Sequence, residues 1–192
     1  MRREQALDLI RAGTRFIVTC HLRPDADALG SALGLAAALR TLGKEAVVYS
    51  HGGVPKLVQF LEGSGTVLGA PPEGTFDATF ITDTAARELV PPLPPRERSG
   101  PVVMIDHHTA HDDYGDFTVR EVDAVATGEL VIRMIDDLGI DIPRPAAQPQ
   151  HLGHQSQRAR DRTRKEARQD QRHQRYLIPY QRAREPPRHH GA

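Results

Sequence analysis

Residues 15–50 read RFIVTC-HLRPDADALGS-ALGLAAALRTLG-KEAVVYS. The first six, Arg15 to Cys20, form a compact apolar run rich in β-branched side chains, the pattern of a buried strand. A polar turn follows. From Ala28 to Leu42 small and apolar residues are so dense that the segment reads as a buried helix, ended by Gly43. Glu45 to Ser50 is a second strand. Strand, crossover helix and strand in succession are the mark of a parallel sheet.

The pattern extends in both directions. Upstream, Arg2–Ala12 reads as a short amphipathic helix with Ala6, Leu7, Leu9 and Ile10 apolar, stopped by Gly13. Downstream come a short helix at Pro55–Leu61, a strand at Thr66–Leu68 and a strong strand at Asp77–Thr82. The Pro-rich loop PPLPPRERSGP (91–101) separates these from a strand at Val102–Asp106. Ala126–Leu138 is an amphipathic helix with Leu130, Ile132, Met134, Ile135 and Leu138 able to face a core. The expectation to Ile142 is one α/β domain, doubly wound on a mainly parallel sheet.

A chain of 192 residues suffices for one domain with a substantial core and not for two full-sized ones. Its net charge of zero conceals two unlike parts. Residues 143–192 hold 12 basic against 4 acidic residues, a charge of +8, which leaves 13 against 21 in residues 1–142, a charge of −8. In the basic part Leu152, Leu177 and Ile178 are the large aliphatics among Arg, Gln, His and Pro, too few to offset ordering entropy. It is expected to be disordered or irregular. No apolar run is long enough for a membrane span, and MRREQALDLIRAG is not a signal-peptide core. Cys20 is the single cysteine, so no internal disulfide forms; a reducing cytoplasm is the expected compartment.

In open parallel sheets, ligands collect beyond the carboxyl ends of the strands. Here three strand ends carry hard-oxygen and imidazole donors: His21, Asp25 and Asp27 after the first, Asp83 after DATFIT, and Asp106, His107 and His108 after VVMI. Such a set suits divalent cations. Asp25 and Asp27 in a turn held by Pro24 can face different ions, His21 can reach the ion of Asp25, and Asp83 can bridge the two. Two ions roughly 3.5–4 Å apart polarise a phosphoryl oxygen and lower the pKa of water. Gly30 and Ser31, near the start of the following helix, are candidate phosphate holders through free backbone N–H groups. Each feature also has a plainer reading. Asp25 and Asp27 could cap the helix, Asp83 could cap a helix at Thr84–Leu89, and His107, His108 and His111 could be solvated loop residues. Cys20 reads as a buried filler.

HLRPDADALGS (21–31), ITDTA (81–85), MIDHH (104–108) and ATGEL (126–130) together resemble the successive motifs of the DHH phosphoesterases. Within that family they are most similar to the bacterial oligoribonucleases that also dephosphorylate 3′-phosphoadenosine 5′-phosphate (pAp), the nanoRNase type. The resemblance covers residues 1 to about 142. It implies a five-stranded N-terminal domain holding two Mn²⁺ ions, with Mg²⁺ as the alternative. His21 and Asp25 would hold one ion, Asp27 and His107 the other, and Asp83 would bridge. His108 would give a proton to, or stabilise charge on, the scissile phosphate, and Asp106 would orient a histidine or the strand end. Short RNA or a nucleotide would be the substrate, hydrolysed by metal-activated water. Ala26 stands where relatives often have Gly.

Family members continue with a further helix, a Thr-Asp-Thr motif completing the second metal site, and a smaller substrate-binding domain. After Pro143 this chain instead turns basic, so the domain is expected to be incomplete at its C-terminal end. A reading-frame shift accounts for such a tail; the rival is a genuine basic arm attracting RNA. Two further functions stay open: a catalytically impaired domain that binds metal or nucleotide weakly, and an inorganic pyrophosphatase of the same superfamily.

Overall fold

Parallel strands buried on both faces read as continuous apolar runs, and three such runs form the middle of the sheet. They are β1 (Arg15–Cys20), β3 (Ala78–Thr82) and β4 (Val102–Asp106); β3 and β4 are buried along their whole length. The shorter β2 (Glu45–Val48) and β5 (Phe117–Arg120) are the edges. The order is β2-β1-β3-β4-β5 and all four pairings are parallel, with Val18 level with Val48 and Phe80, and Ile105 level with Val119. This computed structural model describes residues 2–110 and 112–141. His111 and the basic segment 143–192, with its expected disorder and reading-frame origin, lie outside the described residues.

Three helices cover one face of the sheet: α1 (Arg2–Ala12), α2 (Ala26–Thr41) and, after the four-residue α3 (Arg96–Ser99), α4 (Thr127–Asp137). Ala6, Leu7 and Ile10 of α1, Leu29, Leu35 and Leu39 of α2, and Leu130, Met134 and Ile135 of α4 share one core with Phe16, Val18, Phe80, Val103 and Ile105. Phe16 and Phe80 meet edge to face at 5.8 Å. On the opposite face Ile17, Tyr49 and Phe76 pack with Leu93 of the Pro-rich connection. Tyr49 donates its hydroxyl to the Pro92 carbonyl, and Thr79 donates to the Ser99 carbonyl. The fold is thus the expected α/β architecture, but proline-rich chain forms much of the second layer. Four prolines in five residues remove the amide donors a long helix would need.

Local differences from the sequence reading have local causes. Pro55–Leu61 holds a single 3₁₀ turn, Lys56–Val58: Val58 and Leu61 pack against the core while Leu57 and Phe60 project into solvent, so only half of these apolar residues serve the core. Thr66–Leu68 is not a strand: a 3₁₀ turn at Ser64–Thr66 leads to one bridge, Leu68 to Tyr49. Thr84–Leu89 contains only the turn Arg87–Leu89. Edge strand β5 was not recognisable in the sequence. Ile132 does not join the core; it is 58% exposed on α4. Among the described residues no helix is long and apolar enough to cross a membrane.

Two carboxylates tie the amino-terminal edge of the sheet. Asp77 accepts from the amides of Thr14 and Arg15 (2.7 and 2.9 Å), and Asp116 accepts from Arg96 and from the amide of Val102. These bonds hold both acids below the usual carboxylate range, led by the Thr14 amide for Asp77 and by Arg96 for Asp116. Gly100, at φ 62, passes so close to Asp77 that a Cβ would lie 2.5 Å from its carbonyl oxygen. Gly43, at φ 74, has open space around it. Gly100→Ala should therefore cost about 2–4 kcal/mol, and Gly43→Ala about 1 kcal/mol. Urea unfolding of the two variants checks this, and equal losses would contradict the close approach.

Candidate metal centre and active site

The strand order reverses between β1 and β3, and a crevice opens beyond the carboxyl ends of strands at such a point. The chain leaving β1 brings His21, Asp25 and Asp27 there, the chain leaving β3 brings Asp83, and β4 ends in Asp106 followed by His107 and His108.

Asp83 is the centre of the group. Its φ of 56° makes it the one non-glycine residue with positive φ among the described residues, a strained conformation that requires support from its surroundings. Its amide continues the ladder to the Ile105 carbonyl at 2.8 Å. The side chain, 5% exposed, turns its two oxygens in different directions. Oδ2 lies 3.9 Å from His21 Nε2; Oδ1 lies 3.7 Å from His107 Nε2 and from His108 Nδ1. Burial raises the Asp83 pKa, and the charges of Asp27 and Asp25 add to this, against the Thr127 hydrogen bond and His108. A buried carboxylate surrounded by like charges is a common mark of a functional site.

Two sets of donor atoms lie within 4.8 Å of one another: His21, Asp25 and Asp83, and Asp83, His107 and His108. Asp83 belongs to both. Asp25 does cap α2, its Oδ1 accepting from the amides of Asp27 and Ala28 at 3.0 Å. Capping occupies one oxygen, so it does not exclude holding a cation with the other. Asp27 differs more from expectation. It caps α4 across a hundred residues of sequence, accepting from Thr127 N at 2.8 Å and Gly128 N at 3.0 Å, with the Ser31 hydroxyl at 3.3 Å. His107 Nε2 is still 3.8 Å from Asp27 Oδ2. Ala26 opens α2 with negative φ, so the missing glycine costs nothing there.

The histidines differ in readiness. His107 Nδ1 bonds the Ala124 carbonyl at 3.1 Å, which places the ring proton on Nδ1 and leaves Nε2 a lone pair for a cation. His21 Nδ1 accepts from the Arg23 amide at 3.3 Å, which places the proton on Nε2. Ligation through Nε2 requires that bond to be given up. His108 Nδ1 meets the fully buried Asp106 at 2.7 Å, and this bond raises its pKa. Arg120, at the end of β5, donates to the carbonyls of His108 and Thr109 and fixes that loop; neither it nor Thr127 was singled out in the sequence, where they lie among edge-strand and helix-start residues.

Gly30 and Ser31 do not offer free amides. Helix α2 begins at Ala26, earlier than its apolar pattern, so both lie beyond the first turn, where amides bond within the helix. Burial pushes the Cys20 thiol up to about 12, in keeping with a buried filler. Among the described residues no Lys or Arg pairs with Asp25, Asp27 or Asp83. Three carboxylates and three imidazoles converging without a side-chain cation other than histidine fit a divalent metal.

The fold and this donor set define an α/β domain with a metal-type centre at the topological switch of its sheet. The family model described as "DHH family, N-terminal domain" matches residues 15–156, and the chain belongs to the DHH family. The likeness thus runs past residue 142. Two relatives are each named "Bifunctional oligoribonuclease and PAP phosphatase NrnA". The protein from Thermus thermophilus is 37% identical over 141 residues, 71% of this chain and 41% of the relative; that from Bacillus subtilis is 32% identical over 115 residues, 59% and 36%. The chain therefore spans about two fifths of the length of these relatives. The crystal structure of an exopolyphosphatase-related protein from Bacteroides fragilis shares the fold, with a TM-score of 0.59 and 23% identity over 72% of this chain and 44% of that one.

The raised Asp83 pKa has a consequence for stability. A carboxyl whose folded pKa exceeds its unfolded value loses stability as pH rises through the folded pKa. Asp83→Asn keeps an acceptor for Thr127 and tolerates positive φ. In EDTA it should melt higher than the unsubstituted chain above about pH 4, the advantage growing with pH until Asp83 is ionised. Added Mn²⁺ should raise the melting temperature of the unsubstituted chain and leave that of Asp83→Asn nearly unmoved. Thermal melts across pH check both; an equal Mn²⁺ response would contradict the central place of Asp83.

Proposed function

We propose that this chain is a metal-dependent phosphoesterase, acting on short oligoribonucleotides and on the 3′-phosphate of pAp in a reducing cytoplasm. The observation that carries this reading is the division of Asp83, one oxygen toward His21 and the other toward His107 and His108. His21, Asp25 and Asp83 would hold one ion, and Asp83 and His107, with Asp27 beside them, a second. Divalent ions there, Mn²⁺ by family or Mg²⁺, would polarise a phosphoryl oxygen and lower the pKa of water toward neutrality.

The protein groups supply the rest. His108 is tied through Nδ1 to Asp106, which raises its pKa, and Nε2 makes no hydrogen bond among the described residues. The Asp106 bond favours the protonated ring, which would give its proton to the departing oxygen or stabilise charge on the phosphoryl group. Asp106, fully buried, orients the ring. Asp27 holds the start of α4 against α2, which fixes the wall of the crevice. The names of the relatives support the nucleotide substrates. One observation favours a second reading, a domain that holds metal with little turnover: both oxygens of Asp27 already accept hydrogen bonds, leaving fewer lone pairs for an ion.

Hydrolysis of pAp, a 5′-phosphorylated diribonucleotide and pyrophosphate with added Mn²⁺ tests the proposal. Release of 5′-AMP and inorganic phosphate from pAp, and of mononucleotides from the 5′-phosphorylated diribonucleotide, is expected, with Asp25→Ala and Asp83→Ala reduced to background. Activity surviving in either variant would reject the assignment. Preference for pyrophosphate would make the chain a pyrophosphatase, and Mn²⁺ binding without turnover of any substrate would leave the impaired domain.

A further inference from the structure

Helix α4 begins at a residue that cannot close it. Its N-cap is Ala126, with no side-chain oxygen, and Asp27 of α2 takes that place by accepting from the first two amides. Glu129 reaches back past the N-cap and accepts from the Val125 amide at 3.0 Å. The hydroxyl of Thr127 is thereby spared from capping. It donates to Asp83 Oδ1 at 2.7 Å, and the side chain is fully buried.

The two acceptors are informative. Thr127 donates its amide to Asp27 Oδ2 and its hydroxyl to Asp83 Oδ1. Those are the two oxygens that face His107 Nε2, at 3.8 and 3.7 Å. Two carboxylates brought together repel one another, and each oxygen has two lone pairs. Thr127 satisfies one pair on each and leaves the other directed toward the imidazole. We propose that Thr127 is a positioning residue of the metal centre, whose amide and hydroxyl set Asp27 and Asp83 at the separation a cation beside His107 requires. The inference rests on the metal-dependent reading above, and it assigns a role to the ATGEL motif that its helical pattern alone does not.

A merely structural threonine at a helix start would be replaced without loss by any side chain of its shape. Thr127→Val keeps the shape and the amide and removes the hydroxyl; Thr127→Ser keeps the hydroxyl. Free Mn²⁺, followed by its paramagnetic resonance signal, is titrated into the unsubstituted chain and both variants, with melts in EDTA to establish that each is folded. Mn²⁺ affinity in Thr127→Val should fall by about 10–100-fold for at least one ion, with Thr127→Ser close to the unsubstituted chain. Equal affinity in Thr127→Val, or loss of affinity in Thr127→Ser equal to that in Thr127→Val, would overturn the proposal. If Thr127→Val does not fold, Thr127→Ala replaces it, and failure of both would show the hydroxyl to be structural. Absence of Mn²⁺ binding by the unsubstituted chain would instead overturn the metal-dependent reading, and this inference with it.

Discussion

A carboxylate with little exposure, on a backbone at φ 56, joins the two halves of the crevice. Asp83 can hold that conformation because it is pinned on several sides. Its amide is bonded to Ile105 of the neighbouring strand, and its side chain receives the Thr127 hydroxyl from α4. The same arrangement aims one oxygen at the chain leaving β1 and the other at the chain leaving β4. A residue in extended conformation would carry its side chain away from one of them. The sheet order makes this geometry available, since β3 lies between β1 and β4 where the order reverses.

The two ends of the sheet show how environment sorts carboxylates. At the amino-terminal edge, Asp77 and Asp116 are surrounded by amide and guanidinium donors and held below the ordinary range. Their role is to fasten strands. At the carboxyl-terminal edge, Asp83 is buried with other acids and shifted upward, and its partners are a hydroxyl and imidazoles. The first arrangement is complete without a ligand. The second would be stabilised by an added cation, and it stands on β3, α2 and α4 rather than on loops alone, which favours a well-defined geometry.

Much of this was legible in the sequence. Central strands buried on both faces carry an uninterrupted apolar signal, so RFIVTC, DATFIT and VVMID stood out, and the donors at their ends followed from the rule for open sheets. Edge strand β5 was hidden because FTVR has four residues and only two are buried. The turn at Lys56–Val58 passed for a helix because Leu57 and Phe60 look like core residues while lying in solvent. Ile132 misled in the same way. At the site, cap and ligand are rival readings of Asp25 in the sequence, whereas its two oxygens allow both. That Asp27 caps α4 is a contact between residues a hundred positions apart, and no local pattern announces it.

Whether Asp83 serves two ions at once is addressed most directly by anomalous X-ray scattering at the manganese edge, from crystals grown with Mn²⁺. Two peaks are expected on either side of the Asp83 carboxylate, one adjoining His21 and Asp25 and the other adjoining His107. A single peak held by Asp25 or Asp27 without Asp83, or no peak in the crevice, would contradict the bridging role of Asp83.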